Sequence, residues 1–265
     1  MGIDPDISTP EGWRAALAAL DWQLEMGVDE AIGDMGVDRY ALAEAVKPAP
    51  RVAAAAVAPP PAVQEADPVA VAKAAAGAAG SLEALARAVA GYELCDLKRG
   101  ARNTVFADGN ARARVLILGE APGREEDLEG RPFVGRAGQL LDRMFAAIGL
   151  SRGAEDPASA LYISNVMPWR PPANRDPEPA EIAMMRPFVE RHVELVNPDI
   201  LVLMGNTPCD AVLGARGILR LRGKWTTGWG RPVMPMTHPA YLLRNPLAKR
   251  EAWAGLLAIR ERLGR

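Results

Sequence analysis

The chain has 265 residues, 49% of them hydrophobic, enough to bury one sizeable core and an accessory element. No apolar run approaches the roughly 20 residues that span a bilayer, and the opening MGIDPDISTPEGW lacks the basic and apolar regions of a secretory signal, so a cytoplasmic globular protein without membrane contact is expected. Cys95 and Cys209 are too few for a disulfide framework, and the net charge of -2 hides an asymmetry: residues 1–91 carry 6 basic and 13 acidic side chains, residues 92–265 carry 25 and 20.

In chain order, Trp13, Leu17, Leu20 and Leu24 recur at helical spacing and mark residues 1–46 as a helical extension. Residues 47–67, KPAPRVAAAAVAPPPAVQEAD, are nearly all Ala, Pro and Val and suit an extended linker better than a folded element. PVAVAKAAAGAAGSLEALARAVAGYEL then reads as a helix leading into the main domain, residues 68–265. From residue 92 onward four short β-type runs, 113–119, 160–166, 199–205 and 231–237, alternate with helical patterns, and LAKREAWAGLLAIRERLG closes the chain as a last helix. Alternation of this kind implies an α/β fold, a mostly parallel sheet between helices. Ligands then sit at the C-terminal strand ends. Glu120, Asn165 and His238 each fall at or just after such an end. The mildly basic, Arg-rich second part suits a surface that touches phosphates.

The turn after the first of these strands, GEAPGREEDLEGRPFVG, invites several readings. It lacks the Lys and hydroxyl pair of a P-loop, and its acid and proline stand where a dinucleotide-binding turn needs small residues. Glu120, Glu125, Glu126, Asp127 and Glu129 would repel a phosphate. No His or further carboxylate is placed to complete a divalent-metal site, and a solvated acidic loop stays open as a plain reading.

Three motifs, GEAPGREEDLEGRPFVGRAGQLLD, NVMPWRPPANRDP and THPAYLLRNP, resemble in order and spacing those of the family 4 uracil-DNA glycosylases, over roughly residues 94–264. The resemblance implies the three-layer α/β/α sandwich of the uracil-DNA glycosylase fold and a monofunctional DNA repair enzyme. Its partners would be uracil-containing DNA and, as product, free uracil, and it would act as a monomer. Such an enzyme flips the nucleotide out of the stack to reach the base. The implied catalytic residues are Glu120, near the sugar, and His238, donating to O2 of the leaving uracil, with Glu126 as a second acidic position that acts in catalysis or in loop geometry. Phe133 would stack on uracil and Asn165 would read its edge, with Ala121 and Gly123 lining the pocket; Gly123 offers no side chain to bar the methyl of thymine. On the DNA side the resemblance implies Arg136, Arg170, Arg175 and Arg244 near phosphates and Leu242 or Leu243 as a wedge in the stack. His192, inside FVERHVELV, reads as a surface or interface residue without a role.

Two departures from the family pattern carry expectations of their own. Most members hold a [4Fe-4S] cluster on four cysteines, one C-x-x-C pair before the first strand, one cysteine after the Asn motif and one on the next helix. Here Cys95 stands alone, with Tyr92 or Lys98 at its partner's spacing, Trp169 at the third position and Met185 near the fourth. One thiolate cannot hold the cluster, so no cofactor and no metal are expected, with Trp169 and Met185 as apolar filling. A relative of the family bonds covalently to DNA through a histidine in a loop after the Asn motif. No His lies between Asn165 and Arg191, which implies hydrolysis by water. A protein of another class, a catalytically weak binder of uracil-containing or abasic DNA, is the alternative, and it would have no need of a carboxylate at Glu120.

Overall fold

The computed structural model describes residues 8–25 and 67–264. Residues 26–46 of the expected extension and nearly all of the expected linker lie outside the described residues. Two compact units divide the chain, 1–63 and 64–265. In the first, helix α1 (Pro10–Glu25) is the described element, and Trp13, Leu17, Leu20 and Trp22 on it are exposed.

The second unit begins with two helices where the sequence reads as one. Asp67 caps α2 (Pro68–Ala78) by accepting from the Val69 amide at 2.9 Å, and Ser81 restarts the chain as α3 (Leu82–Ala90) by accepting from the Ala84 amide at 3.2 Å. A serine hydroxyl satisfies a helix-start amide that an alanine cannot, which is why an Ala-rich pattern breaks at this point. A one-turn helix, α4 (Leu97–Gly100), leads into a six-stranded sheet.

The strands are β1 (Ala107–Gly109), β2 (Val115–Gly119), β3 (Leu161–Asn165), β4 (Ile200–Met204), β5 (Thr226–Gly228) and β6 (Arg231–Met236), in the spatial order β1-β3-β2-β4-β6-β5. The four strands read from the sequence run parallel in the centre, while β1 and β5 pair antiparallel at the two edges. Both edge strands escape sequence reading because they have three residues each and no apolar alternation.

Strand periodicity builds the layers. Leu116, Leu118, Tyr162, Leu201 and Leu203 point to one face, where they join buried residues of α2, α3, α7 (Pro179–Val196) and α8 (Asn206–Leu213). Val115, Ile117, Ile163, Val202 and Met234 point to the other, against α6 (Arg136–Ala146) and α11 (Lys249–Arg262). Between them in sequence come α5 (Arg124–Glu129), α9 (Ile218–Leu221) and α10 (Pro239–Arg244). The result is the expected three-layer α/β/α sandwich, and its central strands end together at one rim.

His192 departs from expectation. It is 4% exposed, its ring stacks on Phe106 at 4.4 Å between centroids, and its Nε2 lies 3.1 Å from the Tyr162 hydroxyl. Helix α7 turns this residue toward the sheet, and burial pushes its pKa down to about 3, so it is a neutral core residue and not a surface one.

Candidate active site

The rim is closed by continuing the parallel pairing past the strands. The Val166 amide donates to the Gly119 carbonyl at 3.0 Å and the Met167 amide to the Glu120 carbonyl at 2.9 Å, which sets Glu120 beside Asn165. Gly119 then leaves room above itself. A Cβ there would lie 2.3 Å from the Asn165 Oδ1 and 2.5 Å from the edge of the Phe133 ring, so both groups converge where only glycine fits.

Asn165 is 6% exposed, and its Oδ1 finds no hydrogen-bond partner among the described residues. Phe133 is 5% exposed and stacks on the His238 ring at 5.4 Å and 29°. His238 caps α10, with its Nδ1 accepting from the Ala240 amide at 3.2 Å. An acceptor Nδ1 leaves the proton of the neutral ring on Nε2. Burial is the main reason the pKa of His238 is lowered to about 4; Glu126 opposes the shift and Arg244 adds to it. The imidazole is therefore neutral at pH 7 and presents one donor.

Glu120 is a half-buried carboxylate whose Oε2 accepts from the Thr207 hydroxyl at 2.7 Å. Burial raises its pKa above the ordinary carboxylate value, and the Thr207 bond holds the rise back. Thr207, at the start of α8, escaped the sequence reading although GNTPC also follows a strand end, the signal that marked the other residues.

Glu126 is engaged by backbone. Its Oε2 accepts from the Gly123 amide at 3.0 Å, and its Oε1 from Val134 at 3.0 Å and Gly135 at 2.9 Å. With both oxygens accepting from three amides, it ties the backbone of this loop together, a geometry that matches the loop role among the two expected of it. Gly123 spends its amide on that carboxylate and stands so close that a Cβ would be 2.7 Å from the Oε2. Ala121 is half-buried between Glu120 and this turn.

Around the rim, Arg136 and Arg244 are exposed and line a groove with Glu125, Gly135, Ala240 and Leu243. Arg170 is half-buried and donates to the Asn174 Oδ1 at 2.8 Å. Arg175 is bound by both oxygens of Glu181, at 2.6 and 2.9 Å, so its fork is already filled. Leu242 corrects the wedge expectation: it is 1% exposed and sits in the core of the α6 and α11 face. In α10 it faces inward while Leu243 is half-buried and lines the groove. The large apolar side chain that stands free here is Leu247, 95% exposed in the short 3-10 turn Pro246–Ala248, a position that sequence reasoning missed because it lies beyond the matching motif.

The four-cysteine position of the family does not fit a cluster here. Tyr92, Cys95, Trp169 and Met185 all belong to one closed apolar core, and burial pushes the Cys95 thiol pKa up, away from the thiolate that iron requires. The Tyr92 hydroxyl donates to the Pro68 carbonyl at 2.8 Å and the Trp169 indole to the Thr104 hydroxyl at 3.0 Å, so their polar atoms are satisfied within the protein. Among the described residues, no three or more His, Cys, Asp or Glu side chains group where they could hold a metal ion.

Residues 106–257 match the family model described as the uracil DNA glycosylase superfamily. The chain is 37% identical over 194 residues to the type-4 uracil-DNA glycosylase of Archaeoglobus fulgidus, covering 70% of this chain and 94% of that one. It is 41% identical over 155 residues to that of Thermotoga maritima (57% and 77% of the two chains) and 38% over 176 residues to that of Saccharolobus solfataricus (63% and 79%). Strand ends that gather a carboxylate, an amide, an aromatic ring and a neutral imidazole thus belong to a chain with that ancestry: it is a member of the uracil DNA glycosylase superfamily, a family 4-like uracil-DNA glycosylase that hydrolyses N-glycosidic bonds in DNA repair.

Proposed function

We propose that the protein turns uracil out of DNA into the pocket of Glu120, Phe133, Asn165 and His238 and hydrolyses its N-glycosidic bond with water, leaving an abasic site. The orphaned Oδ1 of Asn165 supports this most strongly. A buried acceptor without a partner costs about 1–3 kcal/mol; the N3–H of uracil would supply that partner while the amide Nδ2 donates to O4. Cytosine presents an acceptor at N3 and a donor at C4, the reverse of the pattern that the amide reads in this orientation.

Bond cleavage puts positive charge on the sugar and negative charge on uracil. Glu120 serves the first, as a carboxylate near C1' that also orients the attacking water. His238 serves the second by donating from Nε2 to O2 while remaining neutral. Phe133 supplies the stacking face. On the DNA side, Arg136, Arg170 and Arg244 meet phosphates. Leu247, flanked by the exposed cations Arg244, Lys249 and Arg250, offers the stack an apolar wedge in place of Leu242, with Leu243 beside it.

The reaction proceeds without an iron-sulfur cluster, and Tyr92, Trp169 and Met185 hold by packing the region that four thiolates would otherwise pin. Incubation with a uracil-containing oligonucleotide followed by alkali is expected to cut the strand at the uracil position. Tight binding without an alkali-cleavable site would favour the alternative, a weak catalyst that binds uracil-containing or abasic DNA. Purified protein is expected to lack the visible iron-sulfur band and stoichiometric iron; both together would refute the packing account.

A further inference from the structure

Phe133 is held in a backbone conformation that its own side chain disfavours. Its φ is +54°, in the left-handed region where a bulky residue persists only if its surroundings over-determine it. Two charged side chains do so, Glu126 from the helix just before it and Arg152 from beyond α6. After Phe133, the amides of Val134 and Gly135 donate to Glu126. Arg152 donates from Nη1 to the Pro132 carbonyl before it, at 2.9 Å, and from Nη2 to the carbonyl of Phe133 itself, at 2.9 Å. Arg152 is itself aimed by two carboxylates: its Nε donates to Asp142 Oδ1 at 2.9 Å and its Nη1 to Asp108 Oδ2 at 3.0 Å. Gly138 completes the enclosure, since a Cβ there would stand 1.7 Å from the Phe133 carbonyl oxygen.

The chemistry of the clamp is specific to a guanidinium. Its planar fork of fixed donors can span two successive carbonyls while its third nitrogen is held by a carboxylate; an ammonium is a single point of donation. The side chain of Arg152 is only 15% exposed, so these bonds are little weakened by solvent.

We propose that Arg152, oriented by Asp108 and Asp142, is a positioning residue of the glycosylase: it locks the strained backbone at Phe133 so that the ring stands as a preformed floor for the base. This rests on the reading of Phe133 as the surface on which uracil stacks. A preformed floor spares the ordering that base binding would otherwise require. Loss of the clamp should therefore weaken the hold on the base and slow the chemical step while leaving the DNA-facing arginines and Leu247 untouched.

The test compares Arg152→Met and Arg152→Lys with the unaltered protein in three measurements: kcat on a uracil-containing single strand, inhibition by free uracil, and affinity for an oligonucleotide carrying an abasic site. Arg152→Met is expected to weaken uracil inhibition about tenfold or more and to lower kcat at least as much, with abasic-site affinity within about twofold. Arg152→Lys should recover part of both losses, because one carbonyl can still be held. Equal loss of uracil and abasic-site binding, or no change in either with the fold intact, would overturn the proposal. Should Arg152→Met fail to fold, Asp142→Asn on the exposed side of the clamp takes its place. It must then shift uracil inhibition and kcat in the same direction by a smaller factor, and unchanged values count against the clamp. Unaltered protein that releases no uracil would overturn the glycosylase reading itself, a result separable from any effect of Arg152.

Discussion

Glu120 lies in surroundings that pull its proton affinity two ways, and its chemistry follows from the balance. Burial raises the pKa and the Thr207 hydroxyl lowers it. Only the ionised carboxylate can stabilise a cationic sugar, so the acid limb of the kcat/KM profile is expected above the usual carboxylate range. Thr207→Val removes the group that restrains the rise, and a pH series should show that limb moved to higher pH. An unmoved limb would assign it to another group. His238 does not supply the limb, since it stays neutral down to about pH 4. In parallel, Glu120→Gln should cut kcat by roughly 10²-fold or more with little change in affinity for uracil-containing DNA, because the lost interaction develops in the transition state. Equal losses in both would argue against that role.

Helix α10 shows how one short element divides its labour by face. His238 caps it, Leu242 points into the core, and Leu243 and Arg244 line the groove outside. The two leucines named as wedges and the one beyond them therefore separate cleanly. Leu242→Ala should cost about 2–5 kcal/mol of stability in chemical denaturation, as truncations of buried leucines do. Leu247→Ala should leave stability within about 0.5 kcal/mol, as surface changes do, yet reduce activity on duplex more than on single-stranded substrate, since only a duplex needs its stack refilled. The reverse pattern would return the wedge to Leu242. The motif THPAYLLRNP was legible in the sequence as a unit, but the inward turn of Leu242 was not, because a six-residue helix carries too few periods to fix which face meets the core.

For the molecule as a whole, two histidines are buried neutral, His192 at about 3 and His238 at about 4, against an ordinary value near 6.5. A folded pKa below the unfolded one means that the unfolded chain binds more protons between the two values. Stability from both residues is thus complete above about pH 6.5 and is lost as pH falls toward about 4 and 3; Glu120, with its pKa raised, works in the opposite sense near its own range. The thermal midpoint should fall between pH 7.5 and 5.5, and more gently in His192→Gln, which keeps a partner for the Tyr162 hydroxyl. An identical slope in the variant would remove His192 from that account.

The sequence by itself determined the parallel centre of the sheet and the family, because strand patterns and motifs can be read locally; it also marked Glu120, Asn165 and His238 by their strand-end positions and Phe133 through the family resemblance, as candidates for the chemistry. Tertiary structure alone decided the rest: that Glu126 ties amides of two separate turns, that Arg152 reaches across from beyond α6 to clamp Phe133, that His192 faces the core, and that Tyr92, Cys95, Trp169 and Met185 meet in one apolar cluster. Local patterns report a residue's own backbone and the face it offers, whereas these roles depend on which hydrogen-bond partners and packing neighbours a side chain meets: for Glu126 within its own folded turn, and for Arg152, His192 and the apolar cluster between segments farther apart in sequence.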